Sequence, residues 1–291
     1  MSIQKALIVA KKSAYQTYFN EYQTRPLRRL ARRGDKALRH IRRSHDVHYE
    51  TLEHVKAVLK ERKISAHACF RGEFFDPKKY DLVISVGGDG SFLEASHRLD
   101  HQMILGVNSD TKHSVGNFCE VDRRSFKKRL DDLLSGRFHV KKLNRLCIRL
   151  NGKALHFFPL NDILVSHACP AAMSHYILKI GRSSEPQRSS GVWISTAGGS
   201  TGAAHSAGGK ALPLTSRKIQ YVPRELFEGH GRRYRLRGGV LAQSAVIEVV
   251  SQMQEGVLYL DGAHHAVPFE YGDRIRVFGG PPLNAVSFGK K

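Results

Sequence analysis

At 291 residues with 41% hydrophobic side chains, the chain can fill two domains with packed cores, which excludes a disordered tail or a small stapled scaffold. Its 47 Lys and Arg against 26 Asp and Glu give a formal net charge of +21, so the surface field favours polyanions such as nucleotides, nucleic acids or anionic lipid headgroups. Charge narrows the partner class without naming a partner. In chain order, "KALIVA" predicts a short buried strand, and "HYETLEHVKAVLKERK" carries Leu52, Val55, Val58 and Leu59 at helical spacing. "AHACF" and "DLVISV" predict further strands, "SFLEASHRL" a helix, and "QMILGV" another strand. Asp122 to Arg137 predicts a capped amphipathic helix with Phe126, Leu130, Leu133 and Leu134 on one face and Gly136 at its end.

Repeated strand and helix signals imply a parallel sheet covered by helices over the first half. After Arg137 the texture changes to short strand-like stretches: "LCIRLNG", "ALHFFPLNDILVSH", "SHYILKI", "GVWIST", "AVIEVVS", "GVLYLDG" and "DRIRVFGG". Gly, Asn, Asp and Pro punctuate them, which favours a mostly antiparallel second domain. The expected division is therefore an α/β nucleotide-binding domain over 1–137 and a β-rich domain over 138–291, the C-terminal tail packing back on the first.

Part of the charge is local. Arg25 to Arg43 holds nine Lys and Arg and one acid, a net of +8. A solvated basic helical face accounts for it; an extended arm, a helical hairpin, or a patch for nucleic acid or membrane are the alternatives. Cys69, Cys119, Cys147 and Cys169 are widely spaced with no C-x-x-C pair, which predicts reduced, mostly buried thiols and a cytoplasmic protein. No secretory signal or bilayer-spanning run is read, since "ALIVA" meets Lys11 and Lys12 after five residues. His40, His45 and His48 lie in or beside the basic run, where positive charge opposes a cation, so no protein-held metal is expected.

Two stretches carry chemistry. In "DLVISVGGDGSFLEASHRL", Leu82, Val83, Ile84 and Val86 supply a strand, and Gly87, Gly88 and Gly90 remove the Cβ atoms that would keep a phosphate from the backbone. The spacing matches neither G-x-G-x-x-G nor the P-loop. Asp89 is either turn chemistry or a carboxylate that orients or deprotonates a hydroxyl for attack on a phosphoryl group. Ser189 to Gly209 then combines a strand with a dense run of Gly, Ser and Thr, which offers N–H and hydroxyl donors to phosphate or ribose oxygens.

Together these stretches make the chain resemble the NAD kinase family. The matching pieces come in family order: "GGDG" at Gly87 to Gly90, "GVNSD" at Gly106 to Asp110 followed by "VGNFC", "LND" at Leu160 to Asp162, "STAGGSTGAAHSAGG" at Ser195 to Gly209, and "LDG" at Leu260 to Gly262. The resemblance implies an N-terminal α/β domain, a C-terminal β-rich domain and a substrate cleft between them. It implies ATP-dependent phosphorylation of the adenosine ribose 2′-hydroxyl of NAD or NADH, with Asp89 as base or orienting group and Mg²⁺ carried by ATP. By the same resemblance, the nucleotide-binding positions are Gly87, Gly88, Gly90, Asn108, Asn161, Asp162, Arg188, Ser200, Thr201, Gly202, Ala203 and Ser206, and the enzyme is a homodimer or tetramer.

The pattern departs from common bacterial members at three positions. Asp162 is one methylene shorter than the usual Glu, Ala203 replaces a Tyr, and Ser190 stands where many members have an Asp near the nicotinamide-side ribose. The longer "GVNSDTKHSVGNFC" is more similar to the mitochondrial-type branch. Two alternatives stay open at the level of sequence. A diacylglycerol- or sphingosine-type lipid kinase shares the GGDG-like turn. A noncatalytic nucleic-acid-binding protein would use the basic balance through salt-sensitive phosphate contacts.

Overall fold

The computed structural model describes residues 3–22, 25, 26, 29, 36–231 and 233–289. The chain divides into two units: 1–141 with 284–291, and 142–283. In the first unit, β1 (Lys5–Ala10) leads through a π-helical turn (Gln16–Glu21) towards the long helix α1 (Lys36–Glu61). Next come β2 (Ser65–Phe70), β3 (Leu82–Gly87), α2 (Asp89–Ser96), β4 (Met103–Asn108), β5 (Val121–Asp122) and α3 (Phe126–Leu134). The sheet order β2-β1-β3-β4 is parallel throughout, with β5 also parallel to β4.

The sequence accounts for this arrangement. β1, β3 and β4 are buried along almost their whole length, as strands covered on both faces must be, so they read as continuous apolar runs rather than alternating ones. On one face, Ile8, Ile84 and Leu105 pack with Leu52, Val55 and Leu59 of α1 and with Phe126 and Leu130 of α3. Each such fully buried aliphatic side chain contributes about 1.5–3 kcal/mol. Asp122 accepts the N–H of Ser125 at 2.8 Å, which secures the entry to α3.

The start of α2, one strand-like stretch and the burial of the cysteines differ from the sequence reading, and the basic segment is described in part. Of the basic segment, residues 36–43 form the first turns of α1; Arg25, Pro26 and Arg29 are also described, and the remainder lies outside the described residues. Helix α2 begins at Asp89, two residues before the predicted start, because the glycine turn itself enters the helix. "ALHFFPLNDILVSH" is not one strand: only Lys153–Ala154 and Asp162–His167 pair, with Pro159 between them. Of the four cysteines only Cys69 is buried; Cys119 and Cys147 are half-buried and Cys169 is exposed. No helix of the described residues is long and apolar enough to cross a membrane.

The second unit is a sandwich. β6 (His139–Leu143) precedes it, and β7 (Leu146–Leu150) and β8 (Lys153–Ala154) open it. β9 (Asp162–His167), β10 (Ser174–Ile180), β11 (Ser183–Ser189) and β12 (Val192–Ser195) follow. After the short α4 (Ala203–Ser206) come β13 (Ile219–Pro223), β14 (Gly239–Leu241), β15 (Ile247–Ser251), β16 (Gly256–Leu260), β17 (Ala266–Pro268) and β18 (Arg274–Gly279). They form two antiparallel sheets, β11-β10-β15-β18-β7-β8 and β14-β13-β12-β9-β16-β17. Ile148, Leu178, Val249 and Val277 of the first pack against Ile163, Val165, Ile194 and Leu258 of the second.

A last strand, β19 (Leu283–Ser287), rejoins the first unit and pairs in parallel with β4 through Asn284 and Ala285. Glu120 fastens it, accepting the Ser287 hydroxyl at 2.7 Å and the Phe288 N–H at 2.9 Å, and it also meets Lys141. Burial opposes ionisation of Glu120, but these donors prevail and hold its carboxyl at about 2.

Candidate active site

Gly87, Gly88, Asp89 and Gly90 form the junction of β3 and α2 at the carboxyl edge of the parallel sheet. Asp89 occupies the first helical position, where the helix dipole favours a carboxylate. Its two oxygens are aimed by a loop nearly thirty residues on: Oδ2 accepts the N–H of Asn117 at 3.0 Å and Oδ1 that of Phe118 at 2.9 Å. Each oxygen keeps a lone-pair direction for a substrate hydroxyl. The same loop touches the glycine turn directly, since a Cβ on Gly88 would lie 2.2 Å from Ser114 Oγ.

Asn108 pairs opposite Gly87 in the sheet, and its amide binds that loop at both ends. Nδ2 donates to Ser114 O at 3.1 Å and Oδ1 accepts the Asp110 N–H at 3.1 Å. Gly116 must be glycine in this arrangement: its φ is +66°, and a Cβ there would stand 2.4 Å from Asn108 Nδ2. Asn108, which the resemblance places at the nucleotide, also supports the loop that holds Asp89.

In the second unit, Asn161 and Asp162 open β9, and the Gly/Ser/Thr loop follows β12 beside them. Asp261, at a left-handed φ of 50°, organises the pair: its carboxylate accepts the N–H groups of Leu160, Asn161 and Asp162 at 2.7, 2.8 and 3.0 Å. Asn161 O accepts the Thr196 N–H at 2.9 Å, while Asn161 Oδ1 is buried with no hydrogen-bond partner among the described residues. A buried, unpaired amide oxygen is an acceptor waiting for a donor. Ser200 spends its hydroxyl within the loop, donating to Ala197 O at 2.7 Å and accepting the Leu212 N–H at 2.9 Å. Thr201, Gly202, Ala203 and Ser206 are exposed.

Asp162 is only 8% exposed, and its carboxyl is pushed up to about 7, chiefly by burial and further by Asp261. The fold therefore prefers the protonated acid, so this group's contribution to stability is full below the ordinary Asp range and is lost as pH rises through about 7. If the ionised form is what receives ribose hydroxyls, dinucleotide affinity is expected to be about tenfold weaker at pH 6 than at pH 8. Asp162→Asn is expected to flatten that dependence, as read by the dinucleotide KM across pH.

Arg188 is not brought to this loop. It lies on β11 in the other sheet and lines a cavity of about 310 Å³ with His175, Gln187, Gln252 and Tyr271. Sequence reading missed the Asn117 and Phe118 N–H groups, which carry no side-chain signal, and the role of Asp261, which it marked only as part of the "LDG" motif.

A scan against protein-family models finds no match. A protein of Oryza sativa subsp. japonica described as a probable NADH kinase is 36% identical over 260 residues, covering 81% of this chain and 80% of its own. The chain belongs to the NAD kinase family. An Arabidopsis thaliana NADH kinase is 31% identical over 270 residues, covering 81% of this chain and 82% of its own. Among solved NAD kinase folds, an Archaeoglobus fulgidus NAD kinase in complex with ATP aligns with a TM-score of 0.70 at 20% identity, over 99% of this chain and 94% of that one. The yeast NADH kinase complexed with NADH aligns with a TM-score of 0.73 at 15% identity, over 98% and 84%. These two agree with the α/β and antiparallel β architecture expected for an NAD kinase. Family membership decides against the lipid kinase and the noncatalytic nucleic-acid-binding protein.

Proposed function

We propose that this NAD kinase transfers the terminal phosphoryl group of ATP to the adenosine ribose 2′-hydroxyl of NAD or NADH. The observation that carries the mechanism is the carboxylate of Asp89, pinned at the glycine turn by two N–H groups with a lone pair left on each oxygen. That carboxylate orients the hydroxyl and takes its proton as the ribose oxygen bonds to phosphorus. The bond from phosphorus to the bridging oxygen breaks, and ADP leaves with the electron pair. Magnesium enters with the donor, as Mg-ATP.

Asn161, with its unpaired amide oxygen, is the acceptor for the adenine amino group, and Asp162 receives ribose hydroxyls. Thr201 to Ser206 line the adenosine pocket; for Arg188, on β11, a place at the nucleotide rests on the family resemblance alone. The two plant relatives support the reduced dinucleotide as the favoured substrate. Ser190 leaves the preference open: where many members carry an Asp, its hydroxyl donates to Glu225. The reading extends to a cytoplasmic homo-oligomer, supported by the separated cysteines and the family resemblance.

The test is incubation with Mg-ATP and, separately, NAD, NADH, a diacylglycerol and sphingosine, with products identified by mass and the phosphate position by NMR. NADP or NADPH is expected, with NADH turned over the faster. Absence of any phosphorylated dinucleotide would overturn the proposal.

A further inference from the structure

From β1 the chain moves to β2 on one side and then to β3 on the other, so the switch point of the parallel sheet lies between β1 and β3. Ligands of such sheets bind beyond the carboxyl ends of the strands at that point. Three segments end there. Lys11 follows β1, Arg71 follows β2, and the glycine turn follows β3. The Arg71 N–H donates to Ala10 O at 2.9 Å, which fixes Arg71 beside the end of β1. Lys11 Cδ lies 3.8 Å from where a Cβ on Gly87 would sit, and Arg71 Nη1 lies 3.5 Å from the same point on Gly90.

Both side chains are half-buried, and among the described residues neither forms an ion pair with a carboxylate. The opposite charge felt by Lys11 is Asp110, whose oxygens are engaged by Ser44 Oγ at 2.7 Å and His113 Nδ1 at 3.0 Å. Burial holds the Lys11 ammonium below the usual lysine range; Asp110 opposes this and Arg71 adds to it. Two like charges, partly desolvated and side by side, are unfavourable until an anion joins them. The anion's other donors are at hand. The N–H groups of Asp89 and Gly90 open α2, where the helical ladder supplies no acceptor, while that of Ser91 donates to Gly88 O at 2.9 Å; Ser91 Oγ, in that first turn, is buried with no hydrogen-bond partner among the described residues.

We propose that Lys11 and Arg71, with the first N–H groups of α2, form the seat of the donor's terminal phosphates. This rests on the kinase reading above and adds to its donor side two cations, Lys11 and Arg71, that the family motifs do not include. Two cations with backbone donors would hold the triphosphate and offset charge on the transferring group.

The test uses the full chain with each substrate varied in turn. Arg71→Leu and Lys11→Met are each expected to raise the KM for Mg-ATP about tenfold or more, with the KM for the dinucleotide changed less than about twofold. Inorganic tripolyphosphate should compete with Mg-ATP on the wild-type chain, and its inhibition constant should rise with the ATP KM in both variants. Should either aliphatic variant melt early, Arg71→Gln and Lys11→Gln are read by the same ratio. An unchanged ATP KM, or equal rises in both KM values, overturns the seat. A wild-type chain that phosphorylates no dinucleotide overturns the kinase reading itself, and is seen before any variant is made.

Discussion

Asp89→Asn is expected to lower kcat by about 10²- to 10⁴-fold, the range for losing a positioned general base. The amide keeps the shape but presents one oxygen where the Asn117 and Phe118 N–H groups now find two, so one of these donors must face an NH₂ group. Loop placement and proton transfer are thus disturbed together. Equilibrium binding of dinucleotide and of Mg-ATP separates them: loss of turnover with both substrates still bound assigns the effect to the carboxylate. Near-normal kcat in the folded variant would remove Asp89 from the chemistry.

Gly199→Ala is expected to destabilise the second unit by about 1–3 kcal/mol, because close-packed backbone cannot yield as a flexible side chain can. An added Cβ would lie 2.4 Å from Asn161 O and 2.7 Å from its carbonyl carbon. The Gly/Ser/Thr loop must then lift away from Asn161 and Asp162. A shift of this order is expected to reduce activity about 10²-fold with the chemistry elsewhere untouched. Gly202→Ala is the control for stability, since a Cβ there meets only Gly199 O at 3.5 Å. Thermal melting of both variants checks the stability difference; a Gly199→Ala chain that melts and turns over like wild type would show that the contact yields without cost.

Much of the fold is legible because local physics and tertiary environment agree. The apolar runs of β1, β3 and β4 report strands covered on both faces, and the 3.6-residue spacing in α1 and α3 reports one buried stripe on each helix. Where they disagree, the sequence misleads. "SSEPQRS" forms β11 although it is polar, because it pairs along its whole length with β10 at the rim of a sheet. The expected packing of the C-terminal tail on the first domain names no partner for "LNAVS", which pairs with β4 and is held by Glu120 from far earlier in the chain. Neither placement has a local signal.

The candidate site divides the same way. By itself the sequence determined the reaction class only through resemblance: the glycine turn, the Asn-Asp pair and the Gly/Ser/Thr loop together match the NAD kinase family, whereas residue type and spacing alone left Asp89 open between turn chemistry and catalysis. Only the tertiary structure decided what aims those groups: the N–H groups of Asn117 and Phe118 on Asp89, and the carboxylate of Asp261 on the N–H groups of Asn161 and Asp162. The physical reason is that a motif records which side chains are present. Orientation comes instead from backbone donors and charges that meet only when strands distant in sequence are laid side by side.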